Sequence, residues 1–269
     1  MTRGTALSVA ASWTPESQPW RLPQRGLAVF HGAGNVARLS HYFLPRLLME
    51  GKRVLFLDGA NSADPRLLER FARERHVPFE RFNRGIQIAR AFTCFQLTEL
   101  IARVPKFLSN FPAEVVIVTA FPDLYFDEDV RDWDARVAFE QGLRGLRCCA
   151  GVEARGSGYW GLGAGERPKA SPPHPEPNTQ YPAPCTSNPE LRIPNSAAIA
   201  VFSAIEDFAP PPVRRQFFPK LCAAASEVWQ FRLDAENRLR LIGERGRPSP
   251  APPPADHPLP KGEGRTLMG

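Results

Sequence analysis

Seven short, mainly apolar runs punctuate the chain, at 26–30, 53–57, 86–90, 115–119, 197–203, 228–233 and 239–242, and their length and spacing predict strands. Between them the apolar positions change to a helical spacing. Leu39, Phe43, Leu47 and Leu48 would share one helix face, and Leu67, Leu68 and Phe71 another, behind Asp64 as N-cap and Pro65 in the first turn. Leu97, Leu100, Ile101 and Val104 form a third stripe, which Pro105 should kink or end, and Val130, Trp133, Val137 and Leu143 a fourth. Strands that are apolar nearly throughout have to be covered on both faces, and helices between successive strands supply that cover. The expected fold class is therefore α/β, three layers about a mainly parallel central sheet. The last two runs, separated by 234–238, predict a C-terminal edge hairpin.

Proline changes the picture by marking what is not core. Of 29 prolines, nine fall within 168–194 and seven within 248–260. Such stretches favour extended, solvated backbone. The expected organisation is an N-terminal extension over 1–25, a single core made of 26–146 and 197–243, a Gly/Pro-rich insertion over 147–196 and a Pro-rich tail over 244–269. A long insertion is cheap for the fold, because loop-closure entropy grows slowly with length.

Charge narrows the function classes only slightly. The 34 Lys and Arg exceed the 28 Asp and Glu by six, and the excess divides evenly, with 19 basic and 16 acidic groups in 1–146 and 15 and 12 in 147–269. There is no basic tail of the kind that binds nucleic acid through charge alone. The five cysteines, Cys94, Cys148, Cys149, Cys185 and Cys222, have no metal-type spacing. No apolar run reaches membrane-spanning length, and the first residues lack the pattern of a secretory signal, so the expectation is a soluble cytoplasmic protein with no membrane partner.

Candidate chemistry centres on the turn after the first strand, His31-Gly32-Ala33-Gly34-Asn35-Val36-Ala37-Arg38. A strand, a Gly-containing turn and a helix are the setting of a phosphate-binding loop, whose Lys reaches the phosphates and whose Ser or Thr holds Mg²⁺. Here that pair is Val36-Ala37, and none of the lysines precedes a Ser or Thr. Arg38 and Ser40 are the only neighbouring substitutes. Backbone N–H groups of such a turn still favour an anion. Gly32, Ala33, Gly34, Asn35, Val36, Ala37 and Arg38 are accordingly the candidate nucleotide or anion site; a bare strand-to-helix turn is the alternative.

With these landmarks in order, the chain resembles the RecA/RadA recombinase family over about 165 residues. The segment 53–74 looks like the family's second strand with its Pro-capped helix, 86–101 (IQIARAFTCFQLTELI) like its strand-to-helix segment with an Ala-Arg-Ala-Phe core, and 115–126 takes the place of the Walker B strand. The resemblance implies a RecA-like core with a degenerate nucleotide site. The P-loop Lys and Thr fall on Val36 and Ala37, the water-positioning glutamate on Ala60, and the Walker B aspartate on Thr119. Phosphoryl transfer depends on positioning and charge stabilisation, which these residues do not supply. The implied function is a non-hydrolysing accessory or regulatory domain in DNA recombination or repair, acting on a protein partner, with no catalytic residue, no metal and no cofactor expected. ATP binding by an atypical P-loop, and single-stranded DNA binding on the same platform, are the rivals.

The family binds DNA through two loops at the carboxyl edge of the sheet, and the second corresponds to the Gly/Pro-rich insertion. Arg147, Arg155, Tyr159 and Trp160 offer it cations and stacking rings, so they are the candidate DNA contacts. Arg214 and Arg215 are expected on the surface. The acidic run over 123–134 lacks the spacing of a Ca²⁺ loop and predicts a solvated helix start. Trp13, Trp20 and Leu22 are candidates to pack over a sheet edge or to tether a neighbouring protomer.

Overall fold

The apolar runs become strands because both of their faces are buried. In the computed structural model, which describes residues 22–151, 197–236 and 239–246, seven strands form one sheet: β1 Leu27–His31, β2 Val54–Asp58, β3 Ile86–Arg90, β4 Val115–Thr119, β5 Ala198–Ser203, β6 Glu227–Leu233 and β7 Leu239–Gly246. Their order is β3-β2-β4-β5-β1-β6-β7, parallel throughout except that β7 returns antiparallel to β6 as the edge hairpin. β1 runs between β5 and β6, with His31 opposite Ser203, and β2 lies beside β4, with Asp58 opposite Thr119.

Alternation of side chains divides the core in two. Ala28, Phe30, Val54, Phe56, Ile117, Ala200 and Phe202 point to the layer made by α1 Val36–Leu39, α2 Leu44–Met49, α3 Pro65–Glu74 and α4 Phe79–Arg84. Leu27, Val29, Leu55, Leu57, Val116, Val118, Ile199 and Val201 point to α5 Cys94–Ala102, α6 Val104–Asn110, α7 Asp132–Cys149 and α8 Phe217–Ala224. Aromatic rings fill both sides. Phe30 stacks on Phe202 at 4.8 Å on one, and Phe139 on Phe217 at 4.3 Å on the other.

Most helix expectations hold. Asp64 caps α3, its carboxylate accepting the N–H groups of Arg66 and Leu67, and Pro65 takes the first turn. Pro105 marks the break between α5 and α6. The first stripe is broken into α1, a 3-10 turn over Ser40–Phe43 and α2, with Pro45 in the opening turn of α2. The fourth stripe holds in part: Leu143 is buried and Val130 packs against the core, but Trp133 is 72% exposed, and α7 also buries Ala135, Ala138, Phe139 and Leu146. The core also runs further than 26–146 and 197–243. α7 continues to Cys149, β7 to Gly246, and Leu22, from the expected extension, packs on the first core layer with Trp229, Leu239 and Leu241. Trp13 and Trp20 lie outside the described residues.

Candidate functional site

In a parallel sheet, connections leaving neighbouring strands toward opposite layers open a crevice at the carboxyl edge. β1 and β5 are such a pair, since β1 leads to α1 in one layer and the chain after β5 leads to α8 in the other. The turn singled out in the sequence sits at this crevice.

Each residue of that turn has a local duty. Gly32 lies so close to β6 that an added Cβ would stand 2.9 Å from the carbonyl oxygen of Phe231. Gly34 has a left-handed φ of 74°. Its N–H is directed at the Asp207 carboxylate, 3.0 Å from Oδ1 and 2.8 Å from Oδ2. An internal carboxylate thus stands where an anion would meet the turn. Asn35 precedes α1 without a side-chain cap. Val36 is fully buried in the first core layer, and Ala37 is 8% exposed. Arg38 turns toward α3, pairing with Asp64 at 2.8 Å, and the Ser40 hydroxyl is buried and donates to the Ala37 carbonyl at 2.6 Å. Neither substitute reaches the turn.

The positions of the other two expected losses are tied together. Thr119 is buried, and its hydroxyl donates to Asp58 Oδ1 at 3.1 Å while accepting the N–H of Ala60 at 3.2 Å. Asp58 also accepts the N–H groups of Ser62 and Ala63. Its carboxylate organises the β2–α3 connection, and Arg90 approaches within 3.7 Å. Beside it His41 is buried, which pushes its pKa down. Its Nε2 accepts the Asp64 N–H, so the ring proton resides on Nδ1, facing the Arg38 carbonyl.

Three further polar groups, not found by sequence reasoning, complete the edge. Asp123 was expected on a solvated helix start, but it lies in the β4–α7 connection, 8% exposed. It accepts the Ser203 hydroxyl at 2.5 Å and the Ala204 N–H at 2.7 Å, and burial pushes its pKa up to about 6 against the lowering effect of both bonds. His31 is buried between two carboxylates: Nε2 is 3.0 Å from Glu244, and Nδ1 is 3.5 Å from Glu206, near enough for charge but not aligned as a hydrogen bond. Glu206 is itself held by Gln230 at 2.5 Å. Arg214, expected on the surface, is 3% exposed and gathers the loop before α7, donating to Asp132 and to the carbonyls of Tyr125, Asp127 and Val130. Glu206-Asp207 directly after an apolar strand was the one readable sign of this arrangement; the partners of Asp123 and Arg214 lie some eighty residues away in sequence.

The structure separates the two candidate sites. α7 carries the chain from the carboxyl edge back across the sheet, a span of about 27 Å for eighteen residues. Gly151 and Ala197, which flank the insertion, therefore lie at the amino edge, because β5 must start where its parallel neighbours start. The insertion is not rooted at the carboxyl edge, as the resemblance implied. Arg147, in the last turn of α7, stands at the far edge from Gly34; Arg155, Tyr159 and Trp160 lie outside the described residues.

No family model and no curated protein matches this chain.

What remains is the chemistry of the edge itself. The connections 32–35, 59–64, 91–93, 120–131 and 204–216 carry seven carboxylates and three guanidinium groups, in a chain whose net charge is +6. Two of the three cations are already committed, Arg214 to Asp132 and Arg131 to Asp134. Among the described residues no cluster of His, Cys, Asp or Glu has the form of a metal site, and no helix is long and apolar enough to cross a membrane.

Proposed function

We propose that this chain is a non-hydrolysing RecA/RadA-like domain that acts through protein contacts in DNA recombination or repair. The observation that carries the reading is the state of the β1 turn. Where a triphosphate would need a cation, Val36 is buried in the core, and the Gly34 N–H is directed at the Asp207 carboxylate. Bringing a phosphate there means displacing one anion by another without a compensating lysine. At the positions of the water-positioning acid and the metal-binding acid stand Ala60 and Thr119: the Ala60 N–H donates to the Thr119 hydroxyl, which donates to Asp58. The seven-stranded sheet, its two helical layers and the antiparallel edge hairpin support the RecA-like part of the reading, and the link to recombination or repair rests on the sequence resemblance alone.

The test is equilibrium binding of a fluorescent ATP analogue with and without Mg²⁺, together with phosphate release from ATP by the same preparation. Neither saturable Mg²⁺-dependent binding nor turnover is expected. Sustained phosphate release that is abolished by Gly34→Val would overturn the reading.

A further inference from the structure

We infer that the carboxyl edge around Arg214 is a docking face for a protein segment that carries lysine or arginine beside an apolar anchor. The inference deepens the reading above, on which it rests, by giving the partner a chemistry. Among the large apolar side chains exposed on this edge are Trp133 at 72%, Val213 at 55% and Phe208 at 42%; Phe92 at 65%, in the 91–93 connection, is another. Isolated apolar residues on a surface are ordinary, but Trp133, Val213 and Phe208 belong to segments that Arg214 ties together. Trp133 and Val213 each adjoin one end of the Asp132–Arg214 ion pair, whose Nε–Oδ1 distance is 2.7 Å. Phe208 packs its ring against Phe126 at 5.7 Å, next to Asp127, whose carbonyl accepts from Arg214 at 2.6 Å. A buried guanidinium thus holds the segments that carry these exposed residues before any partner arrives, which lowers the ordering cost of binding.

Charge selects the occupant. Asp127, Glu128 and Asp129 are exposed on the loop that Arg214 holds, and Glu206 and Asp207 lie in the connection that leads to it. A phosphate backbone would meet repulsion here, whereas a lysine or arginine gains from the carboxylates, and a guanidinium can also stack on the Trp133 indole. The chain's own insertion is not selected by charge, since 147–196 contains five basic and four acidic residues. Trp is the residue type most often responsible for binding energy at such a centre.

The experiment uses the full chain and fluorescence anisotropy of three labelled short peptides: one with arginines beside leucine and tryptophan, one with the arginines replaced by glutamates, and one with the arginines kept and the apolar residues replaced by serine. The first is expected to bind best and to keep measurable affinity at raised salt. Trp133→Ala and Asp127→Lys/Glu128→Lys/Asp129→Lys should each weaken it by about tenfold or more, both sites being exposed and so compatible with folding. Equal binding of all three peptides, or an affinity that these variants leave unchanged, overturns the inference. So does self-association of the wild type that the triple lysine variant abolishes, because the occupant would then be a second copy. ATP turnover is measured on the same material. Turnover with specific peptide binding would defeat the reading of the chain as non-hydrolysing and leave the docking face standing; neither turnover nor peptide binding would do the reverse.

Discussion

Asp123 shows what a single buried carboxylate does to this edge. Its folded-state pKa of about 6 lies above its ordinary value of 3.8, because burial disfavours the charged form more than the Ser203 and Ala204 bonds favour it. The folded state therefore holds the proton more tightly than the unfolded chain. Between pH of about 4 and 6 this group makes stability fall as pH rises, by up to about 3 kcal/mol for a two-unit shift, and the loss is complete above that window. His41 acts the other way: its lowered pKa means that stability is lost as pH falls below 6.5, when protonation of Nε2 would break the Asp64 N–H bond. The two effects oppose each other in wild type, so the difference between wild type and Asp123→Asn is the informative quantity. The amide can donate to the Ser203 hydroxyl and accept the Ala204 N–H. Asp123→Asn should be the more stable protein at neutral pH, with its advantage shrinking toward pH 4, as urea unfolding across that range would show. A constant difference at every pH would mean that Asp123 titrates as an ordinary surface acid.

At the scale of an element, the β4–α7 connection depends on Arg214. The guanidinium answers three carbonyls that would otherwise lack these donors and joins the start of α7 to the connection before α8. Arg214→Met keeps much of the stem packing and removes every donor, and it should cost about 3 kcal/mol in urea unfolding. Arg214→Lys should recover little, since one ammonium cannot span the same fork of acceptors. A loss below about 0.5 kcal/mol would show the loop to be held by its aromatic packing instead. This element also shows what the sequence does and does not reveal. β3 and β4 fall where their apolar runs predict, and the Asp64-Pro65 start of α3 is visible because a cap is a local signal. A charged residue inside the fold has no such signature. Arg214 and Asp123 look like surface groups until the sheet brings their partners from some eighty residues away, and Trp133 fits an apolar stripe although α7 turns it outward. The same holds for the candidate site: the missing lysine is legible at Val36, but the carboxylate that meets Gly34 comes from Asp207, 173 positions distant.

Across the whole molecule the charge is polarised in a way the net value of +6 conceals. The carboxyl edge is acidic, so the excess of cations lies elsewhere, including Arg144 and Arg147 on the half of α7 that reaches the amino edge. A single-stranded oligonucleotide responds to the local field within roughly a Debye length, about 8 Å at physiological salt, and not to the total charge. Whatever affinity the protein has for such a strand should therefore depend on the amino edge. Arg144→Glu/Arg147→Glu should weaken it and reduce the slope of log K against log salt by about 0.7 for each phosphate that is no longer neutralised. Arg131→Glu, an exposed cation of the carboxyl edge paired with Asp134, should leave both unchanged. The triple lysine variant at 127–129 goes further, because it should create oligonucleotide affinity on a face that had none while it destroys binding of the arginine-bearing peptide. Opposite responses of the two ligands to one set of substitutions would follow from the sign of the field alone. If Arg131→Glu instead weakened oligonucleotide binding as much as the amino-edge pair, the strand would be crossing the carboxyl edge, and the acidic loop would have to move aside to admit it.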